Sequence, residues 1–190
     1  MVTMTDFLTL FRDSGALLEG HFRLSSGLHS PSYLQCALVL QHPESAERLG
    51  RALADRLRDV RPTVVLSPAL GGLIIGHEVA RALGVRAIFA ERQDGAMTLR
   101  RGFSISSDDR VAVIEDVVTT GGSTRETRAV AEQAGVAVVG AGAIVDRSGG
   151  SARLDVPFHS LVTLEVPSYA ADQCPLCRGG VPIVKPGSRA

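Results

Sequence analysis

From residue 43 to 57 the run PESAERLGRALADRL sets apolar side chains at Ala46, Leu49, Leu53 and Leu57, with charged residues between them. That spacing predicts an amphipathic helix with one buried stripe, and Pro43 suits its first turn. Beyond it the pattern changes period repeatedly. VVL at 64–66, VRAIFAE at 85–91, RVAVIED at 110–116 and VAVVGAGAIVD at 136–146 are short apolar runs suited to strands buried on both faces. GLIIGHEVARAL at 72–83 and STRETRAVAEQAG at 123–135 have helical spacing and end at Gly84 and Gly135. Strand and helix alternating in this way predict an α/β fold, with a central parallel sheet flanked by helices. Ligands of such sheets bind at the carboxyl ends of the strands.

The flanking segments are less regular. DFLTLFRDSGALL, residues 6–18, reads as a helix capped by Thr5, with Phe7, Leu8, Leu10 and Phe11 on one side. HFRLSSGLHSPSYLQCALVL, residues 21–40, has no helical period; its Gly, Ser and Pro centre predicts a hairpin of two extended pieces with a polar tip. Residues 90–110, AERQDGAMTLRRGFSISSDDR, are too polar and too long for a tight turn and read as a mobile flap. After residue 165 the periodicity decays into a Gly- and Pro-containing tail.

Composition narrows the class. A chain of 190 residues, 45% hydrophobic, is expected to form one domain over 1–190: helix and hairpin at 1–40, extended tail at 170–190. With 20 basic and 20 acidic residues it carries no net charge, which argues against bulk attachment to nucleic acid or an anionic membrane. Lys185 is the only lysine, so arginines must carry almost every cationic role. The amino terminus lacks a signal-peptide pattern, no apolar run is long enough to span a bilayer, and three cysteines are too few for a disulfide framework. A cytoplasmic protein is expected.

The chemistry concentrates at 113–127, VIEDVVTTGGSTRET. Glu115 and Asp116 are expected to emerge where the strand ends, because an unpaired buried carboxylate is costly. The small residues after them leave backbone N–H groups open at a helix N-terminus, an anion cradle. Acids beside an anion loop make sense for a ligand with hydroxyls on one side and phosphate on the other, such as a ribose 5-phosphate.

VIEDVVTTGGST resembles the phosphoribosyl diphosphate (PRPP) signature of type I phosphoribosyltransferases. The resemblance implies that fold, with an N-terminal hood and a flexible flap. It also implies PRPP contacts from Glu115, Asp116, Val117, Val118, Thr119, Thr120, Gly121, Gly122 and Ser123. SPALGG at 67–72 matches the family's pyrophosphate loop in position. HFRLSSGLHSPSYLQ and IVDR at 144–147 resemble the orotate-specific branch, which implies orotate contacts from Ser26, Gly27, Ser30, Tyr33, Thr119 and Arg147. A guanidinium fork also suits a carboxylate on a planar ring. Mg²⁺ on PRPP rather than in a protein cage, and a homodimer sharing its flaps, are further implications. The chain departs from the family in lacking lysines at the hairpin, pyrophosphate loop and flap, where it has Ser25, Gly71 and ERQDGAMTLRRGF. Arg92 and Arg100 are the expected replacements, with Arg92 and Asp116 as catalytic residues.

Two other readings share parts of this pattern. A phosphoribosyltransferase for another base would keep the acid and loop motif without SSGLHSPSY, and a PRPP-sensing regulator of nucleic acid would carry a basic stripe. In the tail, Cys174 and Cys177 of CPLCRGG resemble one knuckle of a zinc ribbon, with Cys36 or a second copy's tail able to complete a site. The five histidines show no metal-ligand spacing and read as turn or surface residues.

Overall fold

The computed structural model describes residues 3–24 and 27–186. The chain opens with α1 (Met4–Asp13), β1 (Leu17–Arg23), β2 (His29–Leu34), α2 (Cys36–Leu40) and α3 (Pro43–Leu57). It continues through β3 (Val64–Pro68), α4 (Gly72–Leu83), β4 (Arg86–Gln93), β5 (Ala96–Leu99), β6 (Val111–Val118) and α5 (Gly122–Gln133). The last elements are β7 (Val138–Asp146), β8 (Phe158–Thr163) and the one-turn α6 (Pro175–Arg178).

β1 and β2 form a separate antiparallel pair, and the other six strands make one sheet in the order β5-β4-β3-β6-β7-β8. All its pairings are parallel except β4 with β5. From β3 the chain passes through α4 to β4 on one side, whereas from β6 it passes through α5 to β7 on the other. The strand order therefore reverses between β3 and β6, which opens a crevice at their carboxyl ends.

Each face of the sheet has its own core. On one side Leu49, Leu53 and Leu57 of α3 pack with Ile75 and Val79 of α4, Ile114 and Ile144. On the other, Val130 and Ala131 of α5 pack with Val64, Leu66, Val111 and Val113. The stripe read from α3 is the one buried, and α4 ends at Gly84 in the left-handed conformation expected of a helix stop.

Local boundaries differ from the sequence reading at three places. Thr3, not Thr5, caps α1: its hydroxyl accepts from the Asp6 N–H at 3.3 Å, and the Asp6 carboxylate accepts from the Thr3 N–H at 2.8 Å. Only Thr3 has an acid three positions on, so only it completes a capping box. The helix stops at Asp13 rather than reaching Leu18, because Leu17 and Leu18 pair with Leu34 and Tyr33 in the hairpin. Likewise the second extended piece ends at Leu34, and CALVL forms the short helix α2, which buries Cys36, Val39 and Leu40. The flap begins as an ordered hairpin, β4 with β5, that adds an antiparallel edge to the sheet.

The tail is bound to the hairpin rather than merely lying on the surface. His29 and Tyr169 exchange backbone hydrogen bonds at 2.8 and 2.9 Å, and the Arg23 N–H donates to the Val184 carbonyl at 2.8 Å. No described helix is long and apolar enough to cross a membrane.

Candidate active site

The acids do not lie beyond the strand as the sequence suggested. β6 runs on to Val118 because Val117 and Val118 stay in register with Val145 and Asp146 of β7. Glu115 is consequently only 7% exposed, and Asp116 is half-buried. Burial raises the pKa of both, and the Asp116 charge raises Glu115 further, to about 8. Hydrogen bonds offset part of this at Asp116, above all the Val117 N–H that it accepts at 2.8 Å, and then a side-chain bond with Glu115. Val118 is buried, so any ligand contact of its own is through backbone, whereas Val117 is half-buried against the core.

The loop after β3 reaches the acids directly. A Cβ on Gly71 would stand 2.7 Å from Asp116 Oδ1, so a side chain there would displace the carboxylate. SPALGG and Asp116 thus face each other across the crevice at the strand-order reversal. Cys36 is buried in the core, and burial above all, then the charges of Asp116 and Glu115, push its thiol pKa up.

Beyond Val118 the chain forms the anion loop. Thr119, Thr120 and Ser123 are exposed, and α5 begins at Gly122. Gly121 adopts φ +77°, and a Cβ there would meet Leu154 Cδ2 at 2.6 Å, so the turn admits no side chain. The first helical bond is donated by the Arg125 N–H to the Gly121 carbonyl, which leaves the preceding N–H groups free for an anion. Arg125, which the motif did not single out, ties the loop down: its Nη1 donates to the carbonyls of Thr120 at 2.8 Å and Arg153 at 3.1 Å.

A cavity of about 510 Å³ adjoins this loop, lined by Leu24, Leu28, Tyr33, Thr119, Thr120, Arg147, Val166 and Ser168. Three expected base contacts, Tyr33, Thr119 and Arg147, therefore share one wall system. Leu24, Leu28, Val166 and Ser168 were not legible, because nothing local marks a leucine in a hairpin or a residue in an irregular tail as facing a pocket. Gly27 is at the hairpin tip with φ +85° and is not among the lining residues; Ser26 lies outside the described residues. Ser30 is buried, its hydroxyl donating to the Ser32 carbonyl at 2.8 Å. A larger hollow of about 780 Å³ beside α3 has charged walls including Glu44, Arg48 and Asp55, and shares no lining residue with this one.

Arg147 is half-buried, and burial lowers its pKa. Its neighbour Asp146 does not neutralise it, since that carboxylate accepts from the Ser148 N–H, the Ser148 hydroxyl and the Gly150 N–H. Among the described residues the guanidinium has no carboxylate partner. The flap cations are differently placed. Arg92 pairs with Glu126 of α5 and donates to the Gly95 carbonyl at 2.6 Å, while Arg100 lies 3.3 Å from Glu91. Within this chain neither lines the cavity.

A switch-point crevice walled by paired acids and an anion loop is the site architecture of phosphoribosyltransferases, and residues 37–172 match the family model described as phosphoribosyl transferase domain. The chain is 55% identical over 188 residues to an orotate phosphoribosyltransferase of Pelotomaculum thermopropionicum, covering 99% of each chain. A second, of Carboxydothermus hydrogenoformans, is 53% identical and covers 97% of each. The crystal structure of orotate phosphoribosyltransferase from Aeropyrum pernix superposes with a TM-score of 0.66 at 29% identity, covering 83% of this chain and 93% of that one. The chain belongs to the orotate phosphoribosyltransferase family.

Burial of the acids has a measurable cost. A carboxyl whose folded pKa is raised contributes stability that is fully present below its unfolded value and is lost as pH rises through the folded one. For Glu115 that window runs from the ordinary 4.5 to about 8. Glu115→Gln should therefore gain stability over the wild type as pH rises across this window, by up to about 1.4 kcal/mol for each pH unit. Thermal melts of both proteins without ligand, over a pH series, test this; a difference that does not grow with pH would refute it.

Proposed function

We propose that the protein transfers the 5-phosphoribosyl group of PRPP to orotate, giving orotidine 5-monophosphate and pyrophosphate in pyrimidine synthesis. The observation that carries this reading is the unneutralised Arg147 guanidinium in a cavity that shares Thr119 and Thr120 with the anion loop. A planar carboxylate held by Arg147 would lie next to a ribose whose 5-phosphate occupies the loop. The names and identity of the relatives support the same substrates.

In this reading Thr119, Thr120, Gly121, Gly122 and Ser123 bind the 5-phosphate, and Glu115 and Asp116 accept hydrogen bonds from the ribose hydroxyls. Hydroxyl donors would return the acids to carboxylates, whose negative charge then faces the ribose as positive charge develops at its anomeric carbon. Asp116 is thus the catalytic acid-side group, acting by electrostatic stabilisation rather than as a nucleophile. The 67–72 loop, opposite Asp116, takes the pyrophosphate side. Arg147, with Thr119, Gly27, Ser26 and Tyr33, holds orotate. The acid pair also suits a divalent cation carried in with PRPP; Mg²⁺ would neutralise the diphosphate through oxygen ligands without a protein cage.

Arg92 and Arg100 are proposed to neutralise the pyrophosphate when the flap closes. Because both are engaged away from the cavity in their own chain, the arrangement favours a homodimer in which each flap serves the other subunit's site. The whole chain, 1–190, acts as one domain in the cytoplasm, without nucleic-acid or membrane partners.

The test is PRPP-dependent pyrophosphate release measured with orotate, uracil, adenine, hypoxanthine and guanine in the presence of Mg²⁺. Orotate alone should support turnover. Release with a purine base instead would overturn the base assignment, and PRPP binding without turnover of any base would indicate a sensor.

A further inference from the structure

We propose that His21, His29, Cys174 and Cys177 form a tetrahedral zinc site that clasps the C-terminal tail to the β1–β2 hairpin. The sequence suggested half of such a site, with Cys36 or a second chain to complete it. Cys36 is instead buried in the hydrophobic core, and the missing ligands are two histidines of the same chain.

The geometry is that of a ligand set. The four candidate donor atoms all lie within 4.8 Å of one another. His21 Nε2 is 3.0 Å from His29 Nδ1, 3.5 Å from Cys174 Sγ and 3.8 Å from Cys177 Sγ, and His29 Nδ1 is 3.3 Å from Cys177 Sγ. Zinc bound tetrahedrally by two nitrogens and two sulfurs requires ligand separations of about 3.3 to 3.8 Å.

The tautomer points the same way. His21 Nδ1 is 2.8 Å from the Val181 carbonyl, which can only accept, so Nδ1 carries the proton and Nε2 presents its lone pair to the cluster. A backbone carbonyl on the far nitrogen is the usual support of a metal-binding imidazole. Three groups converge on that single lone pair, which can accept a hydrogen bond from only one of them. One cation with two thiolates would satisfy all four donors at once. His21 and His29 are 2% and 7% exposed and Cys174 is fully buried, so water cannot serve them freely. Both cysteines are free thiols, as metal binding needs.

The ligands come from β1, β2 and the turn that carries α6, so that 148 to 156 positions separate each histidine from the cysteines it approaches. The hairpin carries Leu24, Leu28 and Tyr33, and the segment leading into the tail carries Val166 and Ser168, so the clasp joins two walls of the base cavity. The four ligands are positioning residues that do not touch substrate.

Metal content of the full-length protein, purified under reducing conditions without a metal-affinity column, tests the site by inductively coupled plasma mass spectrometry. Wild type should hold about one zinc per chain, and Cys177→Ser, at the exposed thiol, at least about tenfold less after dialysis against a chelator. Cobalt substitution should give the intense visible bands of tetrahedral coordination and a thiolate charge-transfer band, both lost in Cys177→Ser. Wild type that lacks zinc and takes up neither zinc nor cobalt when titrated would overturn the proposal, leaving a hydrogen-bonded histidine and thiol cluster. Circular dichroism of the variant checks that it is folded, and His29→Gln gives a second test through a different ligand. Metal content is independent of the base used, so this result and the orotate assay can fail separately.

Discussion

Asp116→Asn is expected to lower kcat by about 10²- to 10³-fold while leaving the protein folded, the range seen when one preorganised electrostatic contact to a transition state is removed. The substitution keeps the shape that Gly71 packs against and an oxygen for the Val117 N–H. In the proposed mechanism it removes the negative charge that would face the ribose as its anomeric carbon becomes cationic. Because Asp116 raises its neighbour's pKa, the variant should also titrate Glu115 nearer its ordinary value. Steady-state kinetics with PRPP and orotate, alongside a thermal melt, separate the loss of charge from a loss of fold. Turnover within tenfold of wild type in a folded protein would remove Asp116 from the catalytic machinery.

Arg147→Ala is expected to act on the base instead. A charge-assisted hydrogen bond to a carboxylate is worth about 1.5 to 3 kcal/mol, which corresponds to a rise in the orotate KM of roughly 10- to 150-fold with little change in PRPP affinity. The effect should be near the upper end, because the guanidinium is half-buried and no described carboxylate neutralises it. Arg147→Lys should recover only part of it, since a single ammonium cannot offer the planar paired donors. An unchanged orotate KM in Arg147→Ala would mean that the cavity beside the anion loop is not the base site.

These two expectations draw on different kinds of information. That Asp116 belongs to an apolar strand with a small-residue loop shortly after it was readable from VIEDVVTTGGST alone, as were the spans of α3 and α4, because helical period, Pro43 and Gly84 are local signals. The freedom of Arg147 was not readable. IVDR puts an acid next to it, and only the loop at 148–150, which folds back onto Asp146, shows that this acid is already engaged.

Errors arose where a distant partner outweighed a local pattern. Leu17 and Leu18 continue a helical run, yet pairing with β2 makes them strand. The flap looks like a loop until β5 is seen to pair with β4. The acids were expected at the strand's end because burial is costly, and β7 holds them inside it nonetheless, with their raised pKa values as the consequence. His21 and His29 carry no ligand spacing of their own; hairpin pairing and tail docking bring them to the cysteines.

The sequence by itself determined the mostly parallel sheet, the helices that flank it and the succession of acids and small-residue loop at 115–123, because hydrophobic period, helix stops and small-residue turns act within a few residues. Tertiary structure alone decided that Gly71 faces Asp116, that Arg147 is left without a counter-charge, and that two histidines and two cysteines meet. Each of those depends on which strand lies beside which, and on where a tail with no period of its own comes to rest.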